Sequence, residues 1–197
     1  MIVGKDWIWL HFPKCGGTSA EALLRKNFGD DPEVKFDEID YTNVIWHQNI
    51  IDRKTIDQEF SSEGKRIVCI FRRLPDWILS RVHYEFSRPP NLLATREMIE
   101  CGQFFENSGM INSADKTFDY YNSPEVNTWL RLESLHTDFE NFLGQALEPL
   151  DRSLNENKFN YVRKSEFWFT RNQLEDLYNA NPNWSAAERL WYGDCLV

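Results

Sequence analysis

The stretch FPKCGGTSA, near the start of the chain, sets a lysine before a pair of glycines and two hydroxyl side chains after it. Gly16 and Gly17 allow a backbone to approach a bound group closely, and Lys14 adds a positive charge. Two hydroxyl donors follow at Thr18 and Ser19. This combination predicts a loop that binds a phosphate or a similar small anion. The alternative interpretation is a tight turn with an ordinary helix cap and a solvated lysine.

The order of the residues separates this loop from two familiar phosphate-binding loops. The P-loop of ATPases and GTPases carries its lysine after the second glycine, whereas Lys14 precedes both glycines. The loop of cysteine phosphatases needs an arginine six residues after the cysteine, and the sixth residue after Cys15 is Glu21. A cysteine phosphatase is therefore disfavoured. A P-loop kinase is also disfavoured, because the sequence has no clear acidic strand end that could hold Mg²⁺.

A second group of anion-binding residue types lies in FRRLPDWILSRVHY, residues 71–84. Arg72 and Arg73 end an apolar run that predicts a strand, and Ser80 follows Arg72 by eight residues. Arginine suits bidentate phosphate binding, and ligands of parallel sheets bind at the carboxyl ends of the strands. Two separate anion sites predict a nucleotide that carries phosphates at both ends.

The segment PKCGGTS resembles the P-K-x-G-G-T-S loop of sulfotransferases, which holds the 5′-phosphosulfate of 3′-phosphoadenosine-5′-phosphosulfate (PAPS). Arg72 to Ser80 resembles the family's second motif, R-x-P-x-x-R-x-x-S, which holds the 3′-phosphate. The segment WLRLESLHTDF is similar to a later family segment of the form R-x-E-x-L-x-x-D-F. The resemblance implies a set of nucleotide-binding residues: Pro13, Lys14, Cys15, Gly16, Gly17, Thr18, Ser19, Arg72 and Ser80.

The sequence departs from the family pattern at two places. Arg73 and Leu74 replace the usual acid–proline pair, so Arg72 is favoured over Arg73 only by its spacing to Ser80. No segment matches the family's glycine-rich 3′-phosphate loop near the C-terminus. Arg163 and the lysine after it are the candidates for that role, although YVRKSEF is equally typical of a solvated turn.

The resemblance implies a transferase that moves a sulfuryl group from PAPS to a hydroxyl or amine of a small-molecule or carbohydrate acceptor, without a metal. Lys14 would stabilise the leaving phosphate, and a general base would take the acceptor's proton. His47 is the first candidate for the base and His83 the second, while His136 is expected on a helix surface and His11 as a strand side chain. A P-loop kinase and a catalytically inactive nucleotide-binding module remain alternatives.

The elements that must position these residues alternate along the chain. Strands are predicted at residues 7–12, 66–71 and 128–133, each followed by a helix, with weaker helices at 173–180 and 185–192. Thr18 and Glu21 predict a capping box at the first helix, and residues 107–125 predict a loop. This order implies an α/β fold: a P-loop-like three-layer sandwich with a central parallel sheet, helices on both faces, and one domain over residues 1–197.

Composition narrows the classes of protein. The formal net charge of -9 disfavours a protein that coats nucleic acid, and no apolar run approaches the length of a membrane span. The four cysteines form no close pairs, which predicts free thiols and a cytoplasmic location. Aromatic residues make up 15% of the chain, and the acceptor wall is predicted in residues 88–125, including Phe104, Phe105, Tyr120 and Tyr121. The identity of the acceptor and the oligomeric state stay open.

Overall fold

The computed structural model describes residues 1–38, 45–86, 95–106, 109–151 and 162–197. The chain divides into two compact units. The first unit comprises Met1–Phe71 and Tyr121–Glu156, and the second comprises Arg72–Tyr120 and Asn157–Val197. The interpretation as one domain over residues 1–197 stays a prediction.

Within the described ranges, seven strands form two sheets, and each unit contains one of them. The strands are β1 (Ile2–Val3), β2 (Trp7–Leu10), β3 (Lys35–Phe36), β4 (Arg66–Phe71), β5 (Gln103–Phe105), β6 (Ile111–Ser113) and β7 (Thr128–Arg131). The sheet of the first unit has the order β3-β1-β2-β4-β7, and the second unit contains the antiparallel pair β5-β6.

In the same described ranges, nine α-helices and two short 3₁₀ segments accompany the strands. The helices are α1 (Gly17–Phe28), α2 (Ile50–Ile56), α3 (Leu74–Phe86), α4 (Arg96–Glu100), α5 (Ala114–Tyr121), α6 (Leu135–Leu143), α7 (Ser165–Trp168), α8 (Arg171–Ala180) and α9 (Pro182–Tyr192). The 3₁₀ segments are Ile45–His47 and Leu132–Ser134.

The sheet of the first unit is mixed, so the predicted all-parallel sheet is only partly correct. Strands β2, β4 and β7 are parallel, with Leu10 beside Cys69 and Phe71 beside Arg131. Strand β1 instead runs antiparallel to both β2 and β3. A three-residue turn joins β1 to β2, and the Gly4 amide donates to the Trp7 carbonyl at 2.9 Å. So short a connection permits only an antiparallel return.

The central strands are buried along their length. Every residue of β2 is buried, and β4 is buried from Ile67 to Phe71. Strands that are covered on both faces read as continuous apolar runs rather than as alternating ones. WIWL and IVCIF therefore had the sequence signature of the two innermost parallel strands.

The predicted loop over residues 107–125 is wrong for the described residues 109–125, because β6 and α5 lie within them. Ala114, Phe118 and Tyr121 of α5 are each at most 2% exposed and lie on one face of the helix, at intervals of four and three residues. The polar residues between them hid this pattern in the sequence. Helices α8 and α9 confirm the two weaker helix predictions, and each begins earlier than predicted.

The second unit has an aromatic core. Trp77 of α3 packs against Phe104 and Trp184, with ring centroids 5.2 Å and 4.8 Å apart. Phe104 is therefore a core residue, and its predicted place in an acceptor wall is wrong. In the described part of the chain, no helix combines the length and the apolar character that crossing a membrane requires.

Candidate functional site

The loop between β2 and α1 contains two residues in the left-handed region. Lys14 has φ +63°, which is uncommon for a residue with a side chain, and Gly16 has φ +75°. These two residues turn the chain from the sheet into the helix. Left-handed backbone at a non-glycine residue is costly and tends to occur at binding sites. Lys14 is thus held in a conformation that its own preferences disfavour.

Helix α1 begins at Gly17, with Gly16 as its N-cap, so the predicted capping box is wrong. Thr18 lies inside the helix, and the Glu21 side chain pairs instead with Arg25 at 2.9 Å. The N-cap glycine has no side chain with which to cap this N-terminus, and the first turn contains no acidic residue. The positive end of the helix dipole is therefore not neutralised by a carboxylate of its own helix, which suits a bound anion.

The loop side chains divide into outward and inward ones. Thr18 is exposed, and Pro13, Lys14 and Ser19 are half-buried. Cys15 is 0% exposed and is therefore a core residue. A thiol buried in this way is poorly placed for nucleophilic attack, which adds to the argument against a cysteine phosphatase.

Both glycines of the loop are required by close packing within the first unit. A Cβ atom added at Gly17 would lie 1.6 Å from Nε2 of His11, and one at Gly16 would lie 2.3 Å from Cδ1 of Leu132. Leu132 belongs to WLRLESLHTDF, so that segment packs directly on the first loop. The structure thereby brings together two of the three segments that carry the sequence resemblance.

His47 lies beside this loop, at the end of the 3₁₀ segment Ile45–His47. Its Nδ1 is 2.9 Å from the carbonyl oxygen of His11. The Tyr121 hydroxyl donates to the carbonyl oxygen of His47 at 2.5 Å. Because a carbonyl oxygen can only accept, Nδ1 of His47 carries a proton, and in the neutral ring Nε2 is the basic nitrogen.

His11 is the site residue that the sequence analysis missed. It follows the end of β2, is 8% exposed, stacks on Trp9 and lies 4.4 Å from the His47 ring, centroid to centroid. Burial lowers the pKa of His11 well below its ordinary value, and nearby His47 and Lys14 lower it further. His11 is therefore neutral near pH 7. Its position directly after a fully apolar strand was the available sequence signal.

The third segment is held together by a charged pair. The Arg131 side chain donates to the Asp138 carboxylate at 3.3 and 3.2 Å, and the Arg131 backbone amide donates to it at 2.9 Å. Burial alone would raise the pKa of Asp138, but these hydrogen bonds lower it overall. The pair fixes the turn from β7 into α6, on which Leu132 lies.

Arg72, Arg73 and Ser80 belong to the second unit. The Arg73 guanidinium pairs with Glu188 at 3.2 Å and with Asp194 at 2.8 Å. The Arg72 carbonyl oxygen accepts from Nε1 of Trp184 at 3.1 Å. Arg72 and Ser80 are both half-buried, at the start and in the middle of the α3 region. Arg73 thus has a structural role in this unit.

The other candidate side chains lie in different surroundings. Nδ1 of His83 is 2.6 Å from the Leu79 carbonyl oxygen, and its ring contacts Trp168 edge to face. His136 is partly exposed on α6, as predicted. Arg163 and the lysine after it are exposed. Among the described residues, no group of three or more His, Cys, Asp and Glu side chains is arranged to hold a metal ion.

Comparison with known proteins adds no family to this description. Neither the family models nor the curated proteins searched include a match to the chain. The functional argument therefore depends on the residues of the loop and their geometry.

Proposed function

We propose that this chain is a sulfotransferase that uses PAPS to sulfate a hydroxyl or amine of a small-molecule or carbohydrate acceptor. The observation that carries the proposal is the loop from Pro13 to Ser19. It combines a lysine whose backbone lies in the left-handed region, a glycine N-cap and a helix N-terminus whose first turn contains no acidic residue. The order of its residues is that of the sulfotransferase loop and not that of the kinase P-loop.

The loop fits the 5′-phosphosulfate end of the nucleotide. The exposed Thr18 and the half-buried Lys14 and Ser19 offer a cation and two hydroxyls around the N-terminus of α1. Bound PAPS supplies an activated sulfuryl group. The charge of Lys14 then stabilises the negative charge that develops on the phosphate as the group leaves.

His47 is the proposed general base. Its Nδ1–H is held by the His11 carbonyl, so its Nε2 can accept a proton from the acceptor. The Tyr121 hydroxyl also anchors the backbone of the same residue. Both proposed catalytic residues, Lys14 and His47, belong to the first unit.

The remaining parts of the proposal rest on the sequence. Arg72 and Ser80 are the proposed ligands of the 3′-phosphate, and a cytoplasmic location is proposed from the free cysteines. The three-layer, P-loop-like arrangement is also proposed. The parallel order of β2, β4 and β7, with the anion loop directly after β2, supports it.

Ligand-induced stabilisation tests the proposal. Adenosine 3′,5′-bisphosphate at a hundredfold excess over its dissociation constant should add about 2.7 kcal/mol to the free energy of unfolding. For a chain of this size, that gain corresponds to a rise in Tm of roughly 5–10 °C. ATP with Mg²⁺ should produce a smaller rise, because it lacks the 3′-phosphate.

Two variants sharpen this experiment. Lys14→Ala should reduce the rate of sulfuryl transfer strongly, because its charge is most needed as the phosphate leaves. Lys116→Ala removes an exposed lysine of α5 with the same change in net charge, and it should leave the rate unchanged. A larger shift in Tm with ATP and Mg²⁺ than with the bisphosphate would replace the proposal with a kinase.

A further inference from the structure

Helix α9 carries two fully buried residues with polar groups, Trp184 and Glu188, both 0% exposed. They are four residues apart and so lie on the same face of the helix. A buried carboxylate is costly unless it is paired and hydrogen-bonded. All the partners of these two side chains described below belong to the second unit.

The two side chains hold the backbone on either side of Arg73. Nε1 of Trp184 donates to the Arg72 carbonyl oxygen at 3.1 Å, and the Leu74 amide donates to Oε2 of Glu188 at 2.7 Å. The indole of Trp184 also packs on the ring of Trp77 in α3. The segment that carries Arg72 is therefore tied to α9 at two successive peptide groups.

Arg73 completes this attachment. Its guanidinium donates to Glu188 at 3.2 Å and to Asp194 at 2.8 Å, and it lies 4.4 Å from the centre of the Tyr192 ring. The buried charge of Glu188 is thus compensated by the arginine next to the predicted phosphate ligand. This use of Arg73 supports the choice of Arg72 as that ligand.

The carboxylate of Glu188 also lies at the N-terminus of α3, because Leu74 is the first residue of that helix. Tyr178 donates to the same carboxylate at 2.7 Å, and burial raises the pKa of Tyr178, which keeps the hydroxyl protonated. The anion position at this helix end is therefore filled by the chain itself. The N-terminus of α3 therefore does not supply the Leu74 amide to a phosphate at Arg72 and Ser80. Such a phosphate would depend on their side chains, and the position of the Arg72 side chain depends on the backbone that α9 holds.

We infer that Glu188 and Trp184 are positioning residues for Arg72, and that they determine the preference for a nucleotide with a 3′-phosphate. This inference rests on the proposed function. It assigns no contact with the nucleotide to α9. Its consequence is a loss of preference for the 3′-phosphate when either hydrogen bond to the Arg72–Leu74 segment is removed.

Calorimetric titration of the full chain with two nucleotides tests the inference. The probes are adenosine 3′,5′-bisphosphate and adenosine 5′-monophosphate, and the readout is the ratio of their dissociation constants. Glu188→Gln removes the negative charge of the carboxylate that accepts hydrogen bonds from Leu74 and Arg73. It should reduce the preference for the bisphosphate over the monophosphate about tenfold. Trp184→Phe removes a single hydrogen bond and should reduce it by roughly 3- to 10-fold. Affinity for the monophosphate should stay unchanged in both.

Matched variants separate positioning from general damage. Trp191→Phe changes a second tryptophan of α9, and Glu175→Gln changes a glutamate of α8 that is paired at the surface. Both should keep the wild-type preference. If Glu188→Gln fails to fold, Trp184→Phe decides, because phenylalanine keeps most of the ring packing.

Two results would overturn the inference while leaving the proposed function intact. The first is an unchanged preference in the folded variants, and the second is an equal loss of affinity for both nucleotides, as a purely structural role predicts. Wild-type protein that binds neither nucleotide is a different outcome. It would overturn the proposed function, and the inference with it.

Discussion

Gly17→Ala adds one methyl group where the structure has no room for it. The new Cβ would lie 1.6 Å from Nε2 of His11 and 2.2 Å from its Cδ2. His11 is 8% exposed and stacked on Trp9, so its ring has little space into which it can move. The substitution should therefore displace either the His11 ring or the start of α1.

The size of the effect follows from two opposing contributions. Forcing an extra methyl group into a packed site costs about 1–3 kcal/mol. Replacing glycine with alanine at a tolerated backbone conformation returns about 0.4–1 kcal/mol, because the unfolded chain loses freedom. The net loss in the free energy of unfolding should be about 1–2 kcal/mol. For a chain of this size the expected fall in Tm is roughly 2–8 °C.

A double-mutant cycle identifies His11 as the cause. In the His11→Ala background the ring is gone, so Gly17→Ala should be neutral or stabilising by about 0.4–1 kcal/mol. Urea unfolding of the wild type, both single variants and the double variant gives the coupling free energy. Gly64→Ala is the control, since Gly64 has φ +70° and no heavy atom lies within 4 Å of its added Cβ. Its cost comes from backbone strain alone and should be equal in both backgrounds.

The reasoning is refuted if Gly17→Ala is as stable as the wild type. It is also refuted if Gly17→Ala costs the same with and without the His11 ring. Either result would mean that the imidazole does not support the loop in the way that the packing indicates.

Three further predictions concern the proposed general base, the arginine pair and the dependence of stability on pH. His47→Gln should lower the rate by about 10²- to 10⁴-fold while the bisphosphate affinity stays constant; full activity with a confirmed acceptor would exclude His47 as the base. Arg72→Ala should weaken bisphosphate binding by about 1.5–3 kcal/mol, whereas Arg73→Ala should mainly lower Tm, because it leaves a buried carboxylate without its cation; the reverse pattern in calorimetry and melting would contradict this assignment. The pKa of His11 is lowered in the folded chain, so below about pH 6.5 the unfolded chain binds a proton that the folded chain does not. The free energy of unfolding should therefore decrease as the pH is lowered, by up to about 1.4 kcal/mol per pH unit. Urea unfolding at several pH values should show a smaller slope for His11→Asn than for the wild type; an unchanged slope in the variant would count against a buried neutral His11.

Local patterns were sufficient to predict the elements around the proposed anion-binding loop from Pro13 to Ser19. The glycine pair between an apolar run and an amphipathic stretch predicted a strand, a turn and a helix, and β2, the loop and α1 follow that order. Central strands are covered on both faces, so their residues are apolar throughout. Their position in the chain can therefore be predicted without knowing which strands they pair with. The strand pair β1 and β3 was not predictable in this way, because two residues cannot show a periodicity.

Tertiary packing decided the roles of the titratable residues. The sequence predicted His11 only as a strand side chain. Packing against Gly17, Trp9 and the His47 ring buries the imidazole beside the loop, and this burial keeps it neutral. Nothing near His47 in the chain indicated that the His11 carbonyl, 36 residues away, would accept from its ring.

The arginine pair shows the same limit more sharply. The sequence alone determined that two adjacent arginines follow a buried strand and precede a helix that contains a serine. A phosphate ligand was therefore expected there. Which arginine serves the fold was decided by Glu188, 115 residues further along the chain. Helix propensity and apolar periodicity depend on a few neighbouring residues, so a short stretch of sequence is enough to recognise them. The partner of a buried charge depends on which residues the folded chain brings together, and that partner can lie anywhere in the sequence.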